Sequence, residues 1–206
     1  MITLTDLEKD AFAEIFNIGI RHAASSLSQM VGQEVQLSIP IVELVERDEA
    51  ALILTGDKQS HIIAIREKFQ GSFKGETLLL FPEKSSLELV RLLLSEQVPL
   101  EVLTEMEKEA LTEVGNIILT GCLSSLADML KEEIVSELPV FTEGNVASLL
   151  SISRQEDEHS VVLFLKTQFS VQEKEIRGYV SFLMELDAMD LFREKVARLF
   201  GAVTGV

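Results

Sequence analysis

The feature of this sequence that most constrains its fold is a repeat at an offset of 99 residues, nearly half of the 206-residue chain. Residues 4–40 align with residues 103–139 without a gap, and 14 of these 37 aligned pairs are identical. About two or three identities would be expected by chance at average composition. A match of this kind indicates two copies of one structural unit. We therefore expect one domain, residues 1–206, built from two homologous halves at about 1–98 and 99–206.

The two halves have the same order of predicted elements. Each half opens with a long helical pattern, continues with strand-like runs and ends with an amphipathic helix. The predicted strands are 35–45, 50–56, 61–69 and 75–81 before a helix at 85–96, and 138–144, 147–153, 160–169 and 176–186 before a helix at 187–200. This pattern predicts an α+β fold with pseudo-twofold symmetry, in which the two long helices pack on one shared β-sheet.

Both long helices carry the same start signal. Thr5 with Glu8, and Thr104 with Glu107, have the spacing of a capping box, in which each side chain satisfies a backbone donor of the other residue. At about 100° per residue, one side of each helix is apolar and is expected to face the core. The expected core residues are Phe12, Phe16, Ala23, Leu27, Met30, Leu111, Cys122, Leu126 and Met129.

A column of polar residues follows the opposite face of each helix. In the first helix it consists of Asp10, Glu14, Asn17 and Arg21, and in the second of Glu109, Glu113, Asn116 and Thr120. Residues three and four apart are neighbours on a helix surface, so each set forms a narrow solvent-facing line. Asparagine is a poor residue for an exposed helix interior, yet both copies keep it. The residues alone leave two interpretations open, a solvated face and a functional site.

Composition excludes several classes of function. There are 18 Lys and Arg against 34 Asp and Glu, a net charge of −16, which opposes binding to nucleic acid or anionic lipid. One cysteine and three histidines without finger spacing disfavour a disulfide framework and a metal site. We find no phosphate-binding glycine loop and no nucleophile elbow. The chain also lacks a secretory leader and an 18-residue apolar run, so we expect a cytoplasmic protein without membrane insertion.

With these residues in view, the sequence resembles the CheC/CheX/FliY family of chemotaxis phosphatases, whose motif is (D/S)-x3-E-x2-N-x22-P. The first copy matches completely with Asp10, Glu14, Asn17 and Pro40, and the second has Glu109, Glu113, Asn116 and Pro139, with Glu in the first place. The stretches EIFNIGIRHAASSLSQMVG and EVGNIILTGCLSSLADML, and the strands KGETLLL and RGYVSF, are also similar to this family. The resemblance covers nearly the whole chain and is strongest for two-motif, CheC-like members.

The resemblance implies an enzyme that removes the phosphoryl group from the phosphorylated aspartate of a CheY-type response regulator. It assigns Glu14 and Glu113 to docking on the active-site lysine of the regulator, and Asn17 and Asn116 to orienting the attacking water. It implies no cofactor bound by this chain, because Mg²⁺ belongs to the regulator. We expect Glu14, Asn17, Glu113 and Asn116 to be exposed, and Pro40 and Pro139 to be features of strand edges rather than catalytic groups.

The same resemblance leaves a second class of function open. Proteins such as FliM use this fold as a noncatalytic scaffold, and CheC-like proteins also bind a CheD-type deamidase. The Glu and Asn in both copies favour the enzyme, because a scaffold has no need of an exposed carboxamide.

Overall fold

A computed structural model describes residues 4–56, 60–94, 104–150, 160–171 and 174–204. The first half contains α1 (Asp6–Val31), β1 (Val35–Leu37), β2 (Ile41–Glu46), α2 (Arg47–Thr55), β3 (His61–Gln70), β4 (Gly75–Pro82) and α3 (Glu83–Leu94). The second half contains α4 (Glu105–Leu130), β5 (Val135–Ser136), β6 (Val140–Asn145), α5 (Val146–Leu149), β7 (Ser160–Val171), β8 (Lys174–Glu185) and α6 (Leu186–Thr204). The order of helices and strands is the same in both halves.

All eight strands form one antiparallel sheet, in which the halves exchange their first strands. The sheet order is β1-β7-β8-β4-β3-β5, with β2 also paired to β7 and β6 also paired to β3. Strands β1 and β2 of the first half therefore pair with β7 of the second half. At the other edge, β5 and β6 of the second half pair with β3 of the first half. Ile41 pairs with Lys166, and Val140, which is 99 residues after Ile41, pairs with Arg66. The prediction of an α+β fold on a shared sheet is confirmed.

Helices cover both faces of the sheet. In β3, Ile63 and Ile65 belong to the larger buried cluster, with residues of α1, α3, α4 and α6, whereas Ile62 and Ala64 belong to a second cluster with residues of α2 and α5. Strands buried on both faces read as continuous apolar runs, which explains sequences such as TLLLF and VVLFL. Because both clusters contain residues of both halves, we propose that residues 1–206 fold as one domain.

Two predicted strands and one predicted core residue are wrong. Residues 50–56 lie largely in α2, residues 147–149 lie in α5 and Leu150 caps that helix, while residues 151–153 lie outside the described residues. Short apolar runs have no periodicity that separates a buried strand from a buried helix. Here they cover the second sheet face as helices. Met30, near the end of α1, is 45% exposed and so does not belong to the core, although Val31 beside it packs against the larger cluster.

The two long helices pack side by side in antiparallel directions. They cross where Gly19 meets Gly121, and a Cβ built on Gly19 would lie 2.3 Å from the carbonyl oxygen of Gly121. Four residues away along each helix, the buried Ser125 hydroxyl donates a hydrogen bond of 2.7 Å to the carbonyl of Ile15. The crossing therefore depends on direct contact between two helix backbones.

The long helices of the two halves have the same kinds of N-terminal and C-terminal caps. Both predicted capping boxes are present. Gly32 ends α1 in the left-handed region with φ 67°, and Lys131, at the equivalent place after α4, has φ 55°. Helix α6 holds the N-terminus of α1 through a 2.8 Å bond from Arg193 Nε to Glu8, and this bond holds the pKa of the Glu8 carboxyl below its ordinary value.

Among the described helices, α4 alone has the length and hydropathy to cross a membrane. Half of its most apolar 18-residue window is buried inside the protein. It packs against α1 and against strands of the sheet.

Candidate functional site

The structure places the predicted site residues on two separate helices, in matching positions. Asp10, Glu14, Glu109 and Glu113 are exposed on α1 and α4. Asn17 and Asn116 are half-buried rather than fully exposed, and neither lies in the core. At about 100° per residue, each asparagine lies nearer to the sheet-facing stripe of its helix than its glutamate does. The carboxamide is therefore backed by protein on one side and open to solvent on the other.

The two columns point away from each other. On α1 the residues that face α4 are Ile15, Gly19 and Ala23, and helix geometry puts the column about 170° around the axis from them. On α4 the column lies about 130° from Gly121 and Ser125, which face α1. The columns therefore lie on opposite flanks of the helix pair. This arrangement gives two separate sites rather than one composite site.

The surroundings of the two asparagines differ. The Thr120 hydroxyl donates a hydrogen bond of 3.4 Å to the carboxamide oxygen of Asn116. The aligned place near Asn17 is occupied by the exposed Arg21. Both columns remain chemically simple, because they offer carboxylates, a carboxamide and either a hydroxyl or a guanidinium.

Within the described part of the chain, no cluster of three or more His, Cys, Asp or Glu side chains has the arrangement of a metal site. Three of the clefts formed by the described residues lie elsewhere, at strand ends and the loops beside them. One of about 340 Å³ lies beside Lys68 and Lys74, another of about 420 Å³ beside Ile41 and Tyr179, and a third beside Gly71 and Glu133. None of the three is lined by a residue of α1 or α4. The columns therefore lie outside these three clefts, on exposed helix surface, where a side chain can reach into the site of another protein.

The two motif prolines lie off the helices that carry Glu and Asn. Pro40 immediately precedes β2 and is buried, whereas Pro139 immediately precedes β6 and is half-buried. Proline is tolerated at an edge or at the start of a strand, where its missing N–H costs no ladder hydrogen bond. Their position agrees with the expected edge role.

The sequence analysis missed one further pair of surface residues. Leu7 and Met106 are 72% and 57% exposed, and they occupy aligned positions in the first turns of α1 and α4. The spacing of three residues to Asp10 and Glu109 extends each column towards its N-terminus. The repeat alignment and the helical spacing place them beside the columns, but only the structure shows that they are exposed.

Comparisons with known proteins find similarity over nearly the whole chain. The chain is 23% identical over 190 residues to the CheY-P phosphatase CheC of Bacillus subtilis, covering 89% of this chain and 90% of that protein. Its fold is similar to that of Thermotoga maritima FliY, with a TM-score of 0.76 at 18% identity, covering 96% of this chain and 100% of that one. The FliM middle domain from H. pylori has a TM-score of 0.65 at 9% identity, covering 93% and 99%.

No protein-family model matches the chain. The fold, two long helices on a shared antiparallel sheet, is nevertheless similar to that of FliY and FliM. The resemblance to the CheC/CheX/FliY family of chemotaxis phosphatases is therefore confirmed over nearly the whole length of the chain.

Proposed function

We propose that this protein hydrolyses the aspartyl-phosphate of a CheY-type response regulator in the cytoplasm. The observation that carries the proposal is the pair Glu14 and Asn17, repeated as Glu113 and Asn116, at the surface of two helices that line none of the three clefts described above. Such a surface has to use the pocket of its partner as the reaction site. The similarity to a CheY-P phosphatase supports the same substrate class.

Carboxylate and carboxamide are sufficient for this chemistry. Phosphoryl transfer depends mainly on positioning and on charge stabilisation, so the protein needs no nucleophile of its own. The carboxamide of Asn17 or Asn116 orients a water molecule in line with the bond between phosphorus and the aspartyl oxygen. Glu14 or Glu113 pairs with a lysine of the regulator and fixes the helix against it. The Mg²⁺ of the reaction is held by the regulator, as part of the substrate.

The electrostatics of the columns support a cationic docking point on the partner. In the described part of the chain, none of the carboxylates of Asp10, Glu14, Glu109 and Glu113 is in an ion pair. They remain available to a lysine supplied by the regulator. Exposed charge pairs are screened by salt, so we expect binding to weaken as ionic strength rises.

The test is the decay of a radiolabelled phospho-regulator with and without the protein. Asn17→Ala and Asn116→Ala, made singly, are each expected to leave partial activity, since the sites lie on opposite flanks. The double variant is expected to lower the accelerated rate by on the order of 10² or more. Stability should hardly change, because Ala is the better helix former. Full activity in a double variant that retains its circular dichroism spectrum refutes the mechanism.

A noncatalytic scaffold is the second candidate, supported by the similarity to the FliM middle domain. A scaffold binds the regulator without accelerating loss of the label. In that case the double asparagine variant binds and behaves like the wild type. Binding to a CheD-type deamidase is a further proposed interaction, which a titration with that protein tests separately.

A further inference from the structure

Leu7 and Met106 are large apolar side chains that contribute little to the core. They are 72% and 57% exposed, whereas Leu4, just before the cap of α1, is 6% exposed. The two residues are 99 positions apart, so the same feature occurs in both halves. Single exposed apolar residues are common on protein surfaces. What distinguishes this pair is that both lie in line with the columns that carry the proposed site.

The geometry places each residue within reach of a partner docked on its column. Leu7 lies three residues before Asp10 and seven before Glu14, and Met106 has the same spacing to Glu109 and Glu113. At 1.5 Å per residue, Leu7 is about 13 Å along the axis from the midpoint between Glu14 and Asn17. A standard interface covers about 800 Å² on each partner, which is a disc of about 16 Å radius. Leu7 therefore falls inside the expected footprint.

We propose that Leu7 and Met106 are the apolar contact residues of the two docking surfaces, and that they pack on an apolar patch of the response regulator. This inference rests on the proposed function and adds a second recognition element to it. The regulator must then present an apolar patch about 10 Å from the lysine that meets Glu14 or Glu113, which is the distance from Leu7 to Glu14 along the helix. Apolar burial supplies affinity, while the carboxylate supplies the register of docking.

Charge argues against the other occupants of this surface. A second copy of the chain would bring two acidic columns together, and each copy has a net charge of −16. An anionic membrane is repelled for the same reason. A partner that offers a lysine beside an apolar patch fits both parts of the surface.

The test uses the double variant Leu7→Gln with Met106→Gln in the full chain. Glutamine keeps the length, the helix propensity and the charge of the wild-type surface. The matched control is Leu52→Gln, because Leu52 is 50% exposed on α2, which covers the opposite face of the sheet. Two quantities are measured: the Kd for regulator carrying beryllofluoride, a mimic of its phosphoryl group, and kcat and KM for loss of the radiolabel.

We expect Kd and KM to rise about 5- to 10-fold in the double variant, with kcat unchanged and the control equal to wild type. If the double variant has the same Kd and KM as the Leu52→Gln control, this inference is overturned. If the Leu7→Gln, Met106→Gln protein still loses activity when Asn17 and Asn116 are also substituted, the proposed function stands without this inference. A wild-type protein that neither binds the mimic nor accelerates decay overturns both. A wild-type dimer that dissociates in the double variant assigns the surface to a second copy and also refutes the proposal.

Discussion

Substitution of one glycine at the crossing of α1 and α4 should separate the effect of close helix packing from that of helix propensity. A Cβ on residue 19 would lie 2.3 Å from the Gly121 oxygen and 2.7 Å from its carbonyl carbon. Both atoms are backbone, so no side chain can rotate away. Ordinary contact requires a shift of about 1 Å between the helices, since real Cβ contacts rarely fall below about 3.4 Å. That shift also stretches the bond from Ser125 to Ile15.

We expect Gly19→Ala to lower the free energy of unfolding by about 2 kcal/mol. The overpacking cost is about 3 kcal/mol, and the gain in helix propensity offsets about 1 kcal/mol of it. Gly121→Ala is the matched control, because its Cβ would lie 2.9 Å from the Gly19 oxygen and needs about half the shift. For that variant the two terms nearly cancel.

The assay is urea unfolding followed by circular dichroism, with a thermal scan as a second measure. A loss of 2 kcal/mol corresponds to a fall in Tm of about 4–8 °C for a chain of this size. A Gly19→Ala protein that is as stable as wild type, or more stable than Gly121→Ala, refutes the packing argument.

Three further substitutions test local features. Burial raises the pKa of Glu67 above its ordinary value of 4.5, so wild-type stability should fall as pH rises through that region. In urea titrations at several pH values, Glu67→Gln should be the more stable protein near neutral pH and lose this advantage in acid, and an advantage independent of pH contradicts the assignment. Lys131→Gly should raise Tm by a few degrees, since Lys131 has φ 55° where the other half has Gly32, and no gain means that the backbone there is unstrained. Thr120→Val, in a chain whose first site is inactivated, should lower kcat of the second site about 2- to 5-fold without changing KM, because Asn116 loses the hydrogen bond that its carboxamide oxygen accepts from Thr120. An unchanged kcat excludes a positioning role for that hydroxyl.

Much of the proposed site could be predicted from the sequence because it lies within single helices. The spacing of Glu14 to Asn17 is local, and a helix that starts at Thr5 fixes which residues share its face. The repeat then showed the same spacing a second time, in Glu113 and Asn116. Leu7 and Met106 were missed because an exposed apolar residue becomes informative only once its exposure is known.

The pairing of strands between the halves could not be predicted in the same way. The sequence of β2 shows an alternation of buried and exposed side chains. That alternation does not specify that β2 pairs with β7 rather than with a strand of its own half. The same limit applies to α2 and α5. Their short apolar runs do not distinguish a strand from a helix, and in the fold they form helices that pack on the second face of the sheet.

The sequence by itself determined the repeat, the starts of the two long helices and the composition of each polar column, because the capping boxes and the columns depend on neighbours three and four residues apart. Only the tertiary structure decided that α1 and α4 meet at Gly19 and Gly121, that the two columns lie on opposite flanks of this helix pair, and that Glu67 is buried. These properties depend on contacts between residues about a hundred positions apart. Such contacts are set by the packing of the whole core, which no local pattern encodes.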